Sequence, residues 1–67
     1  MEHYYIYLTA FNGRIIRFEF AFHSEWAANY KAKELFNYDE VKTAEVVRYG
    51  YFPDSPIMET IVASFTK

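Results

Sequence analysis

No cysteine occurs among the 67 residues, which excludes a disulfide framework, a zinc ribbon and a thiol nucleophile at the outset. Gly13 and Gly50 are the only glycines, and both read as turn residues, so there is no glycine-rich loop to cradle a phosphate. Pro53 and Pro56 are the only prolines and sit close together. No run of like charge exceeds Asp39-Glu40, and no segment approaches the roughly 20 apolar residues of a membrane span. The start, Met1-Glu2-His3-Tyr4-Tyr5, has neither the basic flank nor the apolar stretch of a signal peptide. Together these absences predict a soluble, cytoplasmic protein. Seven basic and nine acidic residues, scattered along the chain, give a net charge of −2. A phosphate-tracking protein would cluster its Lys and Arg instead.

What the chain has in surplus is aromatic: seven Tyr, seven Phe and one Trp make up 22% of the sequence. A domain of this length hides only roughly 60% of the surface its unfolded chain exposes, so a dense core is needed and aromatic bulk supplies it. One domain spanning residues 1–67 is expected.

Residues 3–11 and 14–22 are rich in Tyr, Phe, Ile and Thr and meet at Asn12-Gly13, a strong hairpin signal. A two-residue turn would set Leu8 against Arg17 and Ile6 against Glu19. A three-residue loop, Phe11-Asn12-Gly13 with a left-handed Gly13, instead pairs Ala10 with Arg14, Leu8 with Ile16, Ile6 with Phe18 and Tyr4 with Phe20. Because a one-residue slip turns every side chain over, the register that sorts the faces is expected. It makes Tyr4, Ile6, Leu8, Ile16, Phe18, Phe20 and Phe22 the core face, and Tyr5, Tyr7, Thr9, Arg17 and Glu19 the outer face.

Ser24 is a good N-cap and Glu25 suits the first turn, which predicts a helix over about 25–37. Ala28, Ala32, Leu35 and Phe36 fall on one side of it, where the small alanines admit a close approach to the sheet. Trp26 and Tyr30 lie on another side, which periodicity leaves either flanking the core or exposed. Residues 41–49 and 57–65 read as further strands joined by residues 50–56, with the facing of the third strand left open by Val46-Val47.

The fold class is therefore α+β with element order ββαββ, a four-stranded mixed sheet and one helix on one face. The second and third strands carry Arg14, Arg17, Glu19, Lys42, Glu45 and Arg48, whereas the first and fourth carry only Glu59 within their bodies. Since edge strands use charge to discourage pairing, the expected order is 2-1-4-3, with the first and fourth strands central and parallel. That arrangement resembles the β-grasp of the small immunoglobulin-binding domains of bacterial surface proteins and, more loosely, ubiquitin. The resemblance covers element order alone and carries no binding residue with it.

His3, His23 and Glu19 could approach one another at the open end of the hairpin, but their spacing has no metal-ligand pattern, and a metal site is not expected. His23-Ser24 is explained by capping. A single helix on a single sheet leaves little concavity for catalysis, and no constellation of acid, base and nucleophile stands out, so neither an enzyme nor a cofactor is expected. Tyr5 and Tyr7 beside Arg17 suggest a stacking platform for single-stranded nucleic acid, the alternative reading, which the acidic balance disfavours. Residues 49–54 place Tyr49, Tyr51 and Phe52 around Pro53 and Asp54, beside Arg48; such a composition matches protein-interface cores, with lid-like packing as the competing explanation. Tyr51 and Phe52 are the expected anchors.

The leading expectation is a non-enzymatic protein-binding module acting by steric occlusion. Its contact residues would be Tyr49, Tyr51, Phe52, Asp54, Tyr5, Tyr7 and Arg17, with Ile15 also on the uncovered face, where a homodimer could form. The size and the missing catalytic equipment fit the general profile of phage or mobile-element inhibitors of host enzymes, anti-CRISPR and other anti-defence proteins included.

Overall fold

The structure, a computed structural model, describes residues 3–52 and 55–67, and of residues 51, 52 and 55–58 the backbone alone. The chain runs β1 (His3–Ala10), β2 (Ile15–Arg17), α1 (Glu25–Phe36), β3 (Val41–Phe52) and β4 (Ser55–Thr66). The α+β class and the element order are those expected. Among the described residues no helix is long and apolar enough to cross a membrane.

The first hairpin forms in the bulged register. Leu8 lies opposite Ile16, Tyr7 opposite Arg17 and Thr9 opposite Ile15. Gly13 takes φ +89°, its N–H donates to the Ala10 carbonyl at 3.0 Å, and the Asn12 side chain accepts from the Arg14 N–H at 3.0 Å. A left-handed residue here is what a three-residue loop requires, and glycine reaches it without Cβ strain.

Beyond Phe18 the expected pairing fails. Phe18 still donates its N–H to Ile6 at 2.8 Å, but Tyr4 pairs with Phe22 rather than Phe20. The chain leaves the ladder over 19–21 and returns two residues late. Phe20 is consequently 60% exposed and lies outside the core, whereas Ile16 keeps its place opposite Leu8 on the helix side of the sheet but is 49% exposed there. Phe22 replaces Phe20 beside Tyr4 and stacks on Phe18, with ring centroids 6.1 Å apart. Just past Phe22 comes Ser24, whose side chain accepts from the Ala27 N–H at 3.3 Å and starts the helix.

The sheet order is β2-β1-β3-β4, every neighbouring pair antiparallel, which corrects the expected 2-1-4-3 order and removes the β-grasp likeness with its parallel central pair. Counting the charges of a whole strand misjudged β3. Its Ala44 and Val46 are fully buried and Val47 nearly so, whereas Glu45 projects from the face opposite the helix. In an antiparallel sheet with one face in water, a central strand can carry charge on that face. β4, with no buried side chain among its described residues, takes the edge.

The core lies between α1 and the β1–β3 pair. Tyr4, Ile6, Ala28, Ala32 and Val46 form its buried centre, and Leu8, Phe18, Phe22, Leu35, Val62, Ala63 and Phe65 close it at the sides. A shift of register between Val46 and Val47 against β4 leaves Val62 as an extra residue, which adds its side chain to Ala63 and Phe65 on the core side. The facing left open by Val46-Val47 is thereby resolved: Val46 points to the helix and Val47 to the other face. Trp26 and Tyr30 are exposed on the outer side of α1 and stack on each other at 5.6 Å.

Residues 50–56 are not a seven-residue loop. β3 continues to Phe52 and β4 begins at Ser55, with Gly50 opposite Met58 and Phe52 opposite Ser55. Since β1 ends at the His3–Tyr49 pair, this ladder extends past β1, and the molecule measures 41 × 22 × 18 Å.

Two substitutions test this packing. Nothing lies within 4 Å of a Cβ built on Gly13, so Gly13→Ala meets no clash, and its expected cost of about 1 kcal/mol in chemical denaturation is purely left-handed backbone strain. Ala32→Leu inserts bulk where the helix meets the sheet and should cost roughly 1–3 kcal/mol in the same measurement.

Candidate functional site

With α1 on one side, the other face of the sheet is built from four rows of residues that the register aligns across the strands. Ile15, Thr9, Thr43 and Thr66 make the first row; Arg17, Tyr7, Glu45 and Ser64 the second. Tyr5, Val47 and Ile61 make the third, and His3, Tyr49 and Glu59 the fourth. Tyr7, Thr9, Ile15, Glu45, Val47, Glu59 and Ile61 line an open concavity of about 480 Å³ on this face. Val47 is its floor, 6% exposed although no helix covers it, and Ile15 and Ile61 stand at its two sides, 67% and 58% exposed.

The polar tips on this face are joined. Tyr49 donates its O–H to Glu59 Oε1 at 2.6 Å, and the Tyr7 and Tyr49 hydroxyls lie 2.9 Å apart. A phenol has one hydrogen, so with Tyr49 committed to Glu59, Tyr7 is the donor of the second bond. The resulting chain Tyr7→Tyr49→Glu59 ties β1, β3 and β4 together. Hydrogen bonding to the Glu59 carboxylate holds the Tyr49 phenol protonated well above the ordinary tyrosine range, because ionisation would set a phenolate against that carboxylate. Tyr5 meets Tyr49 edge-on at 5.1 Å and carries the Arg17 guanidinium over its ring at 5.0 Å.

Of the residues expected at a contact site, Tyr5, Tyr7, Arg17 and Tyr49 come together here. The side chains of Tyr51 and Phe52, and Asp54 altogether, lie outside the described residues. Glu45, Val47, Glu59 and Ile61 escaped sequence reasoning because their facing depends on the registers of β3 with β1 and β4. The loose alternation of residues 43–49 was the available signal, and the adjacent valines obscured it. His3 and His23 do meet, ring centroids 5.1 Å apart, but Glu19 does not join them, and among the described residues no three metal-capable side chains form a group.

Tyr5 has the Arg17 guanidinium over its ring and a T-shaped contact with Tyr49. Glu45 and Glu59 share the face and would repel phosphates. Comparison with known proteins finds no matching family model, curated protein or solved structure.

The tyrosine chain makes a pH prediction. A phenol that holds its proton more tightly when folded contributes stability that is complete below the ordinary tyrosine pKa, about 10, and is lost as pH rises through the folded value. Glu59→Gln should bring Tyr49 ionisation down towards the ordinary range, read as phenolate absorbance against a Tyr49→Phe control. An unchanged alkaline titration in Glu59→Gln would show that this hydrogen bond does not govern Tyr49.

Proposed function

We propose that this chain is a non-enzymatic protein-binding module working in the cytoplasm, with the open face of the sheet as its contact surface. The observation that carries this reading is the concavity floored by Val47 and flanked by exposed Ile15 and Ile61. Contiguous apolar surface on so small a protein marks a contact site more often than chance, and a protein partner gains from covering it. The surrounding Tyr and Arg are the side chains enriched where protein interfaces concentrate their energy. Steric occlusion is the mode of action open to such a module, and an inhibitor of a host enzyme is the form of it that the size and composition favour.

The test is a paired capture experiment. Proteins retained by the wild type should be lost with Ile15→Asp and Ile61→Asp, each expected to weaken affinity about thirtyfold or more, as for a central anchor. They should be retained by Trp26→Ala, on the far side of the helix. Retention by both acid variants, with loss in Trp26→Ala, would move the contact surface to α1.

A further inference from the structure

We propose that His3 and His23 together form a two-histidine site for a late first-row divalent ion, zinc by its geometry, at the end of the sheet where the helix begins.

The register brings the two residues together. Tyr4 and Phe22 exchange both backbone hydrogen bonds at 2.8 Å, which fixes the returning chain against β1 just before α1. One position further out, the same antiparallel register opposes His3 to His23, and this alternate position is the one at which side chains stand closer. Tyr4 and Phe22 pack into the core, so by alternation both histidines point to the uncovered side. Their rings meet there with centroids 5.1 Å apart and planes at 60°, His23 exposed and His3 half-buried.

That separation is the one a shared zinc ion requires. Each coordinating nitrogen lies about 2.0–2.1 Å from zinc and about 1.1 Å from its own ring centre, which puts each centroid about 3.2 Å from the ion. At the tetrahedral angle of about 109° the two centroids then stand about 5.2 Å apart. A right-angled tetragonal copper site would need about 4.5 Å, so the spacing fits zinc better. Turning a histidine ring about its Cβ–Cγ bond costs little and leaves the centroid almost in place, so the backbone has already set the distance. The angle between the planes is no obstacle, because each ring can rotate about its own metal–nitrogen bond.

Charge does not hold the ion. The Arg17 guanidinium over Tyr5 and the positive end of α1 both oppose a cation here, and the Glu59 carboxylate, in the row of His3 but two strands away, is engaged with Tyr49. Affinity comes from two coordinate bonds made at once. With the second imidazole already in place its binding is intramolecular, which is worth about tenfold or more over one histidine alone. Water completes the coordination. Zinc held there ties β1 to the segment that enters α1, beside the stretch 19–21 where the ladder is broken, so binding should also stabilise the fold.

Zinc chloride titrated into the full chain, followed by calorimetry and by the imidazole C–H resonances in NMR, tests the site. One zinc per chain is expected, with the resonances of both histidines shifting together, a rise in melting temperature, and full reversal by EDTA. His3→Gln and His23→Gln, each checked for native circular dichroism, should each lower the affinity about tenfold or more, since either leaves a single imidazole. Magnesium, which takes oxygen ligands, should move neither ring. If His3→Gln misfolds, His23→Gln, at an exposed position between the sheet and the helix, carries the test alone. Single variants that bind zinc as tightly as the wild type, or zinc binding that shifts only one histidine or neither, would overturn the proposal.

Discussion

Ala28 and Ala32 are completely buried in one cluster with Ile6 and Val46, and the close approach of α1 to β1 and β3 that they permit governs the rest of the molecule. Methyl side chains on the helix leave room for Tyr4, Phe18, Phe22 and Phe65 around it, so large residues on the sheet meet small ones on the helix. A helix held that near the two central strands reaches the edges only with its own flanks. Phe36 meets Phe65 on the β4 side, and Lys31 reaches over Phe18 on the β2 side. One helix of this length covers one face, and nothing else in the described chain covers the other.

The open face follows from that asymmetry. Its strands are held by the same ladders that build the core, so the positions of Tyr7, Glu45 and Val47 are as fixed as those of Ile6, Ala44 and Val46 on the reverse side. The hydroxyl chain from Tyr7 through Tyr49 to Glu59 fixes the polar tips too, since each bond in such a chain polarises the next. An ordered surface loses little conformational freedom on docking, which favours contact by a preformed face over contact by a segment that must first fold.

Local chemistry was legible in the sequence wherever a short-range rule was sufficient. Asn12-Gly13 marked the hairpin and the sorting of its two faces selected the bulged register, Ser24 marked the start of α1, and the spacing of Ala28 and Ala32 its buried side. Long-range relations were legible only in part. Phe20 was misplaced because the chain leaves the β1 ladder over 19–21 and rejoins it two residues late at Phe22, a break that the alternation of the strand does not signal. The order of β3 and β4 was inverted because charge was summed over whole strands, while burial depends on which face each charge occupies. Residues 50–52 and 55–56 read as a loop on their prolines and glycine, yet their backbone continues the β3–β4 ladder. The residues of the open face divided in the same way: Tyr5, Tyr7 and Arg17 followed from the first hairpin, but Glu45, Val47, Glu59 and Ile61 required the registers of strands distant in sequence.

The central claim, that this molecule meets other proteins with the uncovered side of its sheet, is tested most directly by two-dimensional NMR spectra recorded as a protein captured by the wild type is added. The account predicts that methyl resonances of Ile15, Val47 and Ile61 shift together as that protein is added, while the indole N–H of Trp26, on the opposite side of the molecule, stays in place. Shifts confined to Trp26 and its neighbours on α1 would contradict it.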